Sequence, residues 1–126
     1  MHKSFLKSAS LLAALTVLLG AFAAHGLKKI LNDAAIAVFE TGVRYQFYHT
    51  IGLFIIAILY KEFPVKMMRW AGRCMMAGIA LFSGSLYLLS VTNNTVPIIG
   101  IITPFGGVLF VFAWLALFLT ILKKSS

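Results

Sequence analysis

The chain has 126 residues, 61% of them hydrophobic and only 11% charged, and a mean hydropathy of +0.98. Soluble domains carry about 25% charged residues, so the composition excludes an aqueous globular fold and leaves one transmembrane domain over residues 1–126. The formal charge of +8 comes from eleven Lys and Arg against three acidic residues. These basic residues stand in short clusters between apolar stretches, where they orient membrane helices and meet lipid head groups rather than nucleic acid.

A helix needs roughly 20 mostly apolar residues to cross a hydrocarbon core, and backbone groups in lipid must be satisfied within the segment, which selects helices here. The first span is predicted over residues 8–25 (SASLLAALTVLLGAFAAH). Lys3, Lys7, the apolar run and Ala21-Phe22-Ala23 imitate a secretory leader. The run is long, however, and ends in His25-Gly26-Leu27-Lys28-Lys29 within a chain that goes on crossing the membrane, so the span is expected to be retained. The second span is expected over residues 45–60 (YQFYHTIGLFIIAILY), preceded by an interfacial helical extension. Asn32 or Asp33 supplies its N-cap. Ile36, Phe39, Val43 and Phe47 recur at helical spacing, with Glu40 and Arg44 on another face. A continuous helix from Ala34 to Tyr60 would be about 40 Å long against a core of about 30 Å. Its first turns therefore lie in or above the interface, with Gly42 a natural place for a bend. The third and fourth spans are predicted over residues 70–91 and 104–122, Thr103 and Pro104 opening the fourth. Thr92 to Ile102 forms an uncharged loop between them. The fold class is thus an all-α integral membrane four-helix bundle.

Basic residues also set the direction. With the N-terminus inside, that side holds Lys3, Lys7, Lys61, Lys66, Arg69, Arg73, Lys123 and Lys124, and the other holds Lys28, Lys29 and Arg44. Both termini are therefore expected in the cytoplasm.

The residues with chemistry gather around the start of the second span. His25, Glu40, Arg44, Tyr45, Gln46 and His49 form a candidate polar cluster at the outer surface. Glu40 and Arg44 have the favourable order for an i, i+4 ion pair, and an ionisable residue such as His49 within a span is often functional. The plainer reading is an anchored interfacial helix whose polar tips meet water. Small residues at helical spacing mark close helix approach: Gly20 with Ala24, Ala80 with Gly84, and also Gly42, Gly52, Gly106 and Gly107. Ser83 and Ser85 are placed to bond across to another helix or back onto their own.

Several chemistries lack their residues. There is no Gly-rich phosphate loop, no HExxH zinc motif and no carboxylate pair for hydrolysis. Cys74 is the lone cysteine, read as structural, and rules out an intrachain disulfide. Met75 and Met76 are read as packing residues, and no catalytic group, cofactor or metal site is expected. Asn93-Asn94-Thr95 matches a glycosylation sequon, which has meaning only in a secretory eukaryotic setting.

Four stretches occur in one order: "GAFAAHGLKKIL", "FETGVRYQFYHTIGLF", "LFSGSLYLL" and "ITPFGGVLFVFAWLAL". In these the chain resembles, over nearly its whole length, the DUF423 family of small bacterial membrane proteins, whose animal relatives are called transmembrane protein 256. The resemblance implies a four-helix inner-membrane protein without an established activity. Ala23 replaces a glycine of the family's usual "GAFGAHGL", and the family's recurrent polar positions correspond to His25, Gly42, Tyr45, Gln46 and His49. No catalytic role accompanies them. The leading expectation is a non-enzymatic component supporting membrane integrity or larger membrane assemblies, in contact with lipids and with other membrane proteins or copies of itself. The alternative is a small oligomeric transporter or channel with a polar path near His49.

Overall fold

A computed structural model describes residues 1–125. Among them, four helices are long and apolar enough to cross a membrane. Helix α1 spans Lys3–Ala24 and is capped by His2, whose Nδ1 accepts from the Phe5 N–H at 3.2 Å. A single 3-10 turn, Leu27–Lys29, leads to α2, Asp33–Leu59, where the Asn32 side chain accepts from the Ala35 N–H at 2.8 Å. This capping satisfies one of the amide donors that a helix start leaves without a partner. Helix α3 covers Lys66–Val91 and contains a π-helical turn, Ile79–Ser83. Helix α4 covers Ile99–Ser125.

Successive helices run antiparallel, so both termini lie at one end of the bundle, the terminal face. The opposite end carries the α1–α2 and α3–α4 connections. The backbone amide of His2 donates to the Ala57 carbonyl at 2.9 Å, fixing the start of α1 against the end of α2. A large apolar core draws on all four helices towards the terminal face, with Phe5, Ala9, Leu53, Ile56, Met68, Met75, Ala113 and Leu117 at its heart. A smaller one at the opposite face packs Ala23, Leu27 and Phe39. Between the two lies a layer of polar side chains.

The helices differ from the sequence reading at several points: α1 begins at Lys3, five residues before the expected span, and α3 at Lys66, four residues before. Helix α2 runs unbroken through Gly42, and its 27 residues make one rod of about 40 Å. The backbone irregularity falls on the facing helix instead, as the π turn of α3. Helix α4 begins five residues before Pro104, at Ile99. Its first amides bond three residues back, Ile99 to Val96, Gly100 to Pro97 and Ile101 to Ile98, a tight first turn that forms ahead of the proline. The connection before it is shortened accordingly. Asn93 and Asn94 both have positive φ, 50° and 59°. The Asn94 N–H reaches the Leu89 carbonyl at 2.9 Å and the Asn93 N–H the Ser90 carbonyl at 3.1 Å. Those paired bonds are a Schellman closure of α3, with asparagines in the left-handed region that they tolerate better than most residues.

Candidate functional site

The polar layer is built on α2. Gln46 is 3% exposed, and its amide reaches both neighbouring helices. Its Nε2 donates to Thr16 Oγ1 at 2.9 Å and to the Leu12 carbonyl at 3.3 Å, both on α1. Its Oε1 accepts from the Tyr87 hydroxyl of α3 at 2.6 Å. The Thr16 hydroxyl in turn donates to the Leu12 carbonyl at 2.7 Å. Both amide protons and the amide oxygen of Gln46 are therefore satisfied inside the bundle, the arrangement a buried polar group requires where no water competes.

Serines hold the other side of α2. Ser83 Oγ donates to the Gly42 carbonyl at 2.7 Å, and Ser90 Oγ donates to the Ala35 carbonyl at 2.6 Å. Donors and acceptors both step by seven residues, 83 to 90 and 42 to 35, in opposite directions. Two turns of each helix thus stay in register across an antiparallel contact. Small residues make it short enough: a Cβ at Gly42 would lie 2.7 Å from the Tyr87 ring and 3.3 Å from the Ser83 carbonyl oxygen. The Phe39 and Tyr87 rings, 4.7 Å apart, cover this seam.

Between α3 and α4 the approach is tighter. A Cβ at Gly106 would meet the backbone of Phe82, inside the π turn, and one at Gly78 would meet the Phe110 ring at 2.5 Å. The wider turn at residues 79–83 lets the Phe82 backbone bear on Gly106 while Ser83 points at α2, and Ser85 Oγ pairs with Thr103 Oγ1 at 2.6 Å. Ser85 also bonds back to the Phe82 carbonyl at 2.8 Å, so these serines use both modes open to them in a span.

His49, 6% exposed, lies on the side of α2 that faces α4. Its Nδ1 is 2.7 Å from the Tyr45 carbonyl, which can only accept, so that nitrogen carries the proton. The ring stacks on Phe110 with centroids 3.4 Å apart and planes 10° apart, and Trp114 stands 5.9 Å away. Tyr45 is nearly parallel to it at 6.0 Å, on the bundle surface.

The predicted polar cluster therefore divides. Gln46 and His49 are buried but on different faces of α2, while His25, Glu40, Arg44 and Tyr45 are exposed. Glu40 and Arg44 do not form an ion pair; Arg44 Nη2 approaches Thr41 Oγ1 at 3.4 Å. An ion pair does form at the terminal face, between Lys124 and Glu62 at 3.7 Å. Glu40 and Arg44 instead border a shallow hollow of about 230 Å³ together with Gly20 and Val43. His25 caps the end of α1 through its backbone N–H to the Ala21 carbonyl, and its ring joins neither Gln46 nor His49. Exposure to lipid and water at a helix end satisfies these side chains without an internal partner.

The small residues divide too. Gly20 faces Val43, with 3.6 Å left for a Cβ, and Gly52 packs under Met75 and Trp114. Gly42 and Gly106 are close-approach sites, and Gly107 lies beside Phe82 at ordinary contact distance. Ala24 and Ala80 are exposed, and a Cβ at Gly84 would meet nothing within 4 Å, so of the two proposed pairs only Gly20 faces another helix. The buried neighbours Ala23 and Ile79 take those places, a rotation of one residue that spacing alone does not fix. Sequence reasoning missed Thr16, Tyr87 and Ser90. Their signal was their residue type, a hydrogen-bonding group inside an otherwise apolar run.

Comparison with known proteins places this geometry. A family model described as a protein of unknown function, DUF423, matches residues 19–107, which include every bonded member of the layer but Leu12 and Thr16. The chain belongs to the DUF423 family. It is 44% identical over 122 residues to the UPF0382 membrane protein YwdK of Bacillus subtilis, covering 96% of this chain and 98% of that one. A UPF0382 membrane protein of Staphylococcus epidermidis is 42% identical over 121 residues, 96% and 97% of the two chains. One of Haemophilus influenzae is 39% identical over 126 residues, 100% and 99%. No solved structure matches. Those relatives are named as membrane proteins, in agreement with the four apolar helices of this DUF423 chain. In it, the groups brought together inside the membrane are an amide, hydroxyls and backbone carbonyls, a set that holds helices to one another. Among the described residues no three of His, Cys, Asp and Glu come close enough to share a metal ion.

Proposed function

We propose that this is a non-enzymatic component of the bacterial inner membrane, with both termini in the cytoplasm, that supports membrane integrity or joins larger membrane assemblies. The observation that carries the reading is the use of the buried polar groups. Gln46, Thr16, Tyr87, Ser83 and Ser90 bond helix to helix, which builds a rigid unit. The outward surface is broad and apolar: α1 presents Leu11, Leu15, Leu18 and Phe22, and α4 presents Val108, Leu115 and Phe118. A rigid body with such a surface has ample area for lipid and for neighbouring spans. The orientation is supported by the cluster of Lys and Arg at the terminal face against Lys28, Lys29 and Arg44 elsewhere.

Gentle extraction from native membranes, followed by mass spectrometry of copurifying proteins, tests it. A stoichiometric partner span is the expected result; protein recovered with lipid alone contradicts the assembly role. Transport through an oligomer has one observation in its favour. The Tyr45 and His49 rings lie nearly parallel, Tyr45 at the bundle surface and His49 buried beneath it, and the bond of His49 Nδ1 to the Tyr45 carbonyl leaves Nε2 for a further partner. Ion or metabolite flux in reconstituted vesicles that His49→Ala abolishes would establish that reading instead.

A further inference from the structure

The chain has three acidic side chains, Asp33, Glu40 and Glu62. Asp33 opens α2 and Glu40 follows about two turns later, both towards the opposite face. Glu62 is at the terminal face, and Lys124 occupies it: its Nζ lies 3.7 Å from Oε2 and donates to the Glu62 carbonyl at 2.6 Å. The start of α3 carries bases that these acids do not meet. Lys66, Arg69 and Arg73 are exposed, and the helical repeat sets all three within about 60° of the circumference. Among the described residues no carboxylate pairs with any of them. The other side of the same turns is filled. Met68, Ala71 and Met75 are fully buried, and a Cβ at Gly72 would meet the Phe5 ring of α1. The three bases therefore face away from the bundle, towards lipid.

Their depth calls for an anion. Arg73 lies about 10 Å along the helix from Lys66, inside the apolar stretch that begins at Trp70, where an unmatched cation is costly. Helix side chains lean towards the start of their helix. The Arg73 guanidinium does so, lying 5.2 Å from the ring centroid of Trp70. Trp70 is half exposed, as tryptophans are at the head-group boundary. Arg69 and Arg73, four residues apart, present two guanidinium forks there, and such a fork matches a phosphate with paired hydrogen bonds. Beyond them the outward side of α3 turns small and apolar. Ala77 and Ala80 are exposed, and a Cβ at Gly84 would meet nothing within 4 Å. Arg73 to Gly84 is about 16 Å along the helix, and one leaflet of hydrocarbon is about 15 Å deep.

We propose that this side of α3 binds one anionic phospholipid of the adjoining leaflet. Arg69 and Arg73 hold its phosphate, Lys66 adds charge at the surface, and an acyl chain lies along Ala77, Ala80 and Gly84. Phosphatidylglycerol has the required chemistry, one net negative charge above two chains. The inference goes beyond the assembly role and stands or falls separately, since lipid binding needs no protein partner.

Tryptophan fluorescence tests it at the site itself. The chain has two tryptophans, Trp70 and Trp114, so W114F leaves Trp70 as the reporter. The full-length W114F protein is reconstituted in phosphatidylcholine vesicles, with phosphatidylglycerol or phosphatidylcholine brominated on identical chains as quenchers. Brominated phosphatidylglycerol is expected to quench Trp70 at a lower membrane fraction than brominated phosphatidylcholine. R69Q/R73Q in the same background should reduce that preference, by about fivefold for each arginine. K28Q/K29Q, at the opposite face, should leave it unchanged. In the W70F protein, Trp114 on α4 should respond equally to the two lipids. Equal quenching of Trp70 by both lipids overturns the proposal. So does a preference that survives R69Q/R73Q, that K28Q/K29Q reduces as much, or that Trp114 shows to the same degree.

Discussion

Gly106→Ala and Gly84→Ala make the same chemical change in neighbouring helices, and the structure assigns them opposite signs. At position 106 the new methyl would sit 2.7 Å from both Cα and Cβ of Phe82 and closer still to its backbone nitrogen. Carbon atoms settle at about 3.5–4.0 Å, so α3 and α4 must part by about 1 Å. The obstacle is mostly backbone, which has no rotamer to escape into. Overpacking of this kind costs about 1–3 kcal/mol, and separation also loosens Gly78 from Phe110. Alanine recovers up to about 1 kcal/mol of helix propensity, leaving Gly106→Ala destabilised by up to about 2 kcal/mol. At position 84 nothing lies within 4 Å, so only the propensity gain of up to about 1 kcal/mol remains. The propensity gain is common to both, so the two variants should differ by the overpacking cost, about 1–3 kcal/mol. Unfolding of the purified protein by titrating dodecyl sulfate into mild detergent, followed by helical circular dichroism, measures that difference. Equal stabilities, or a Gly106→Ala protein more stable than Gly84→Ala, would refute the α3–α4 contact as described.

Three further outcomes follow from the polar layer and the charges. Gln46→Leu strands the Tyr87 hydroxyl and removes the bonds to α1, and should cost about 1–2 kcal/mol; a double-mutant cycle with Tyr87→Phe should show coupling of about 0.5–1.5 kcal/mol in the same unfolding assay. Thr50 is fully buried with an Oγ1 that has no partner, so Thr50→Val should leave stability unchanged or raise it by about 1 kcal/mol, against the loss expected if the hydroxyl were bonded. Glu40→Gln and Arg44→Gln should each shift stability by less than about 0.5 kcal/mol and be additive, because the two charges do not pair; a coupling above that would reveal an ion pair.

The spans were legible because length and apolar content are demanded by the bilayer itself, and the α2 cap because asparagine before a helix has a specific bond to make. The close approach at Gly42 and Gly106 was also legible, since a glycine in a span has few other uses. What sequence could not supply was helix rotation. In water an apolar stripe points to the core, but lipid and core are equally apolar, so α1, α2 and α4 show no stripe to read. That is why Ala24 and Ala80 were placed inward when Ala23 and Ile79 are the buried residues. It is also why Gln46 and His49, three residues apart, were grouped though they serve different helix contacts. The π turn had no signal of its own, because it answers to the meeting of Phe82 with Gly106, residues far apart in the chain. Glu40 and Arg44 have ideal spacing for a pair, and exposure removes the reason to form it.

The account rests on α2 being held to its neighbours within one chain by the bonds of residues 35, 42, 83 and 90. Cysteines at Ala35 and Ser90, in a Cys74→Ser background, test this in native membranes by copper-catalysed oxidation. Ser90 Oγ lies 2.6 Å from the Ala35 carbonyl oxygen, so the pair should close rapidly into an intrachain disulfide, seen as a faster-migrating monomer. Disulfides that form only between copies, or a pair that stays reduced under the same oxidation, would contradict it.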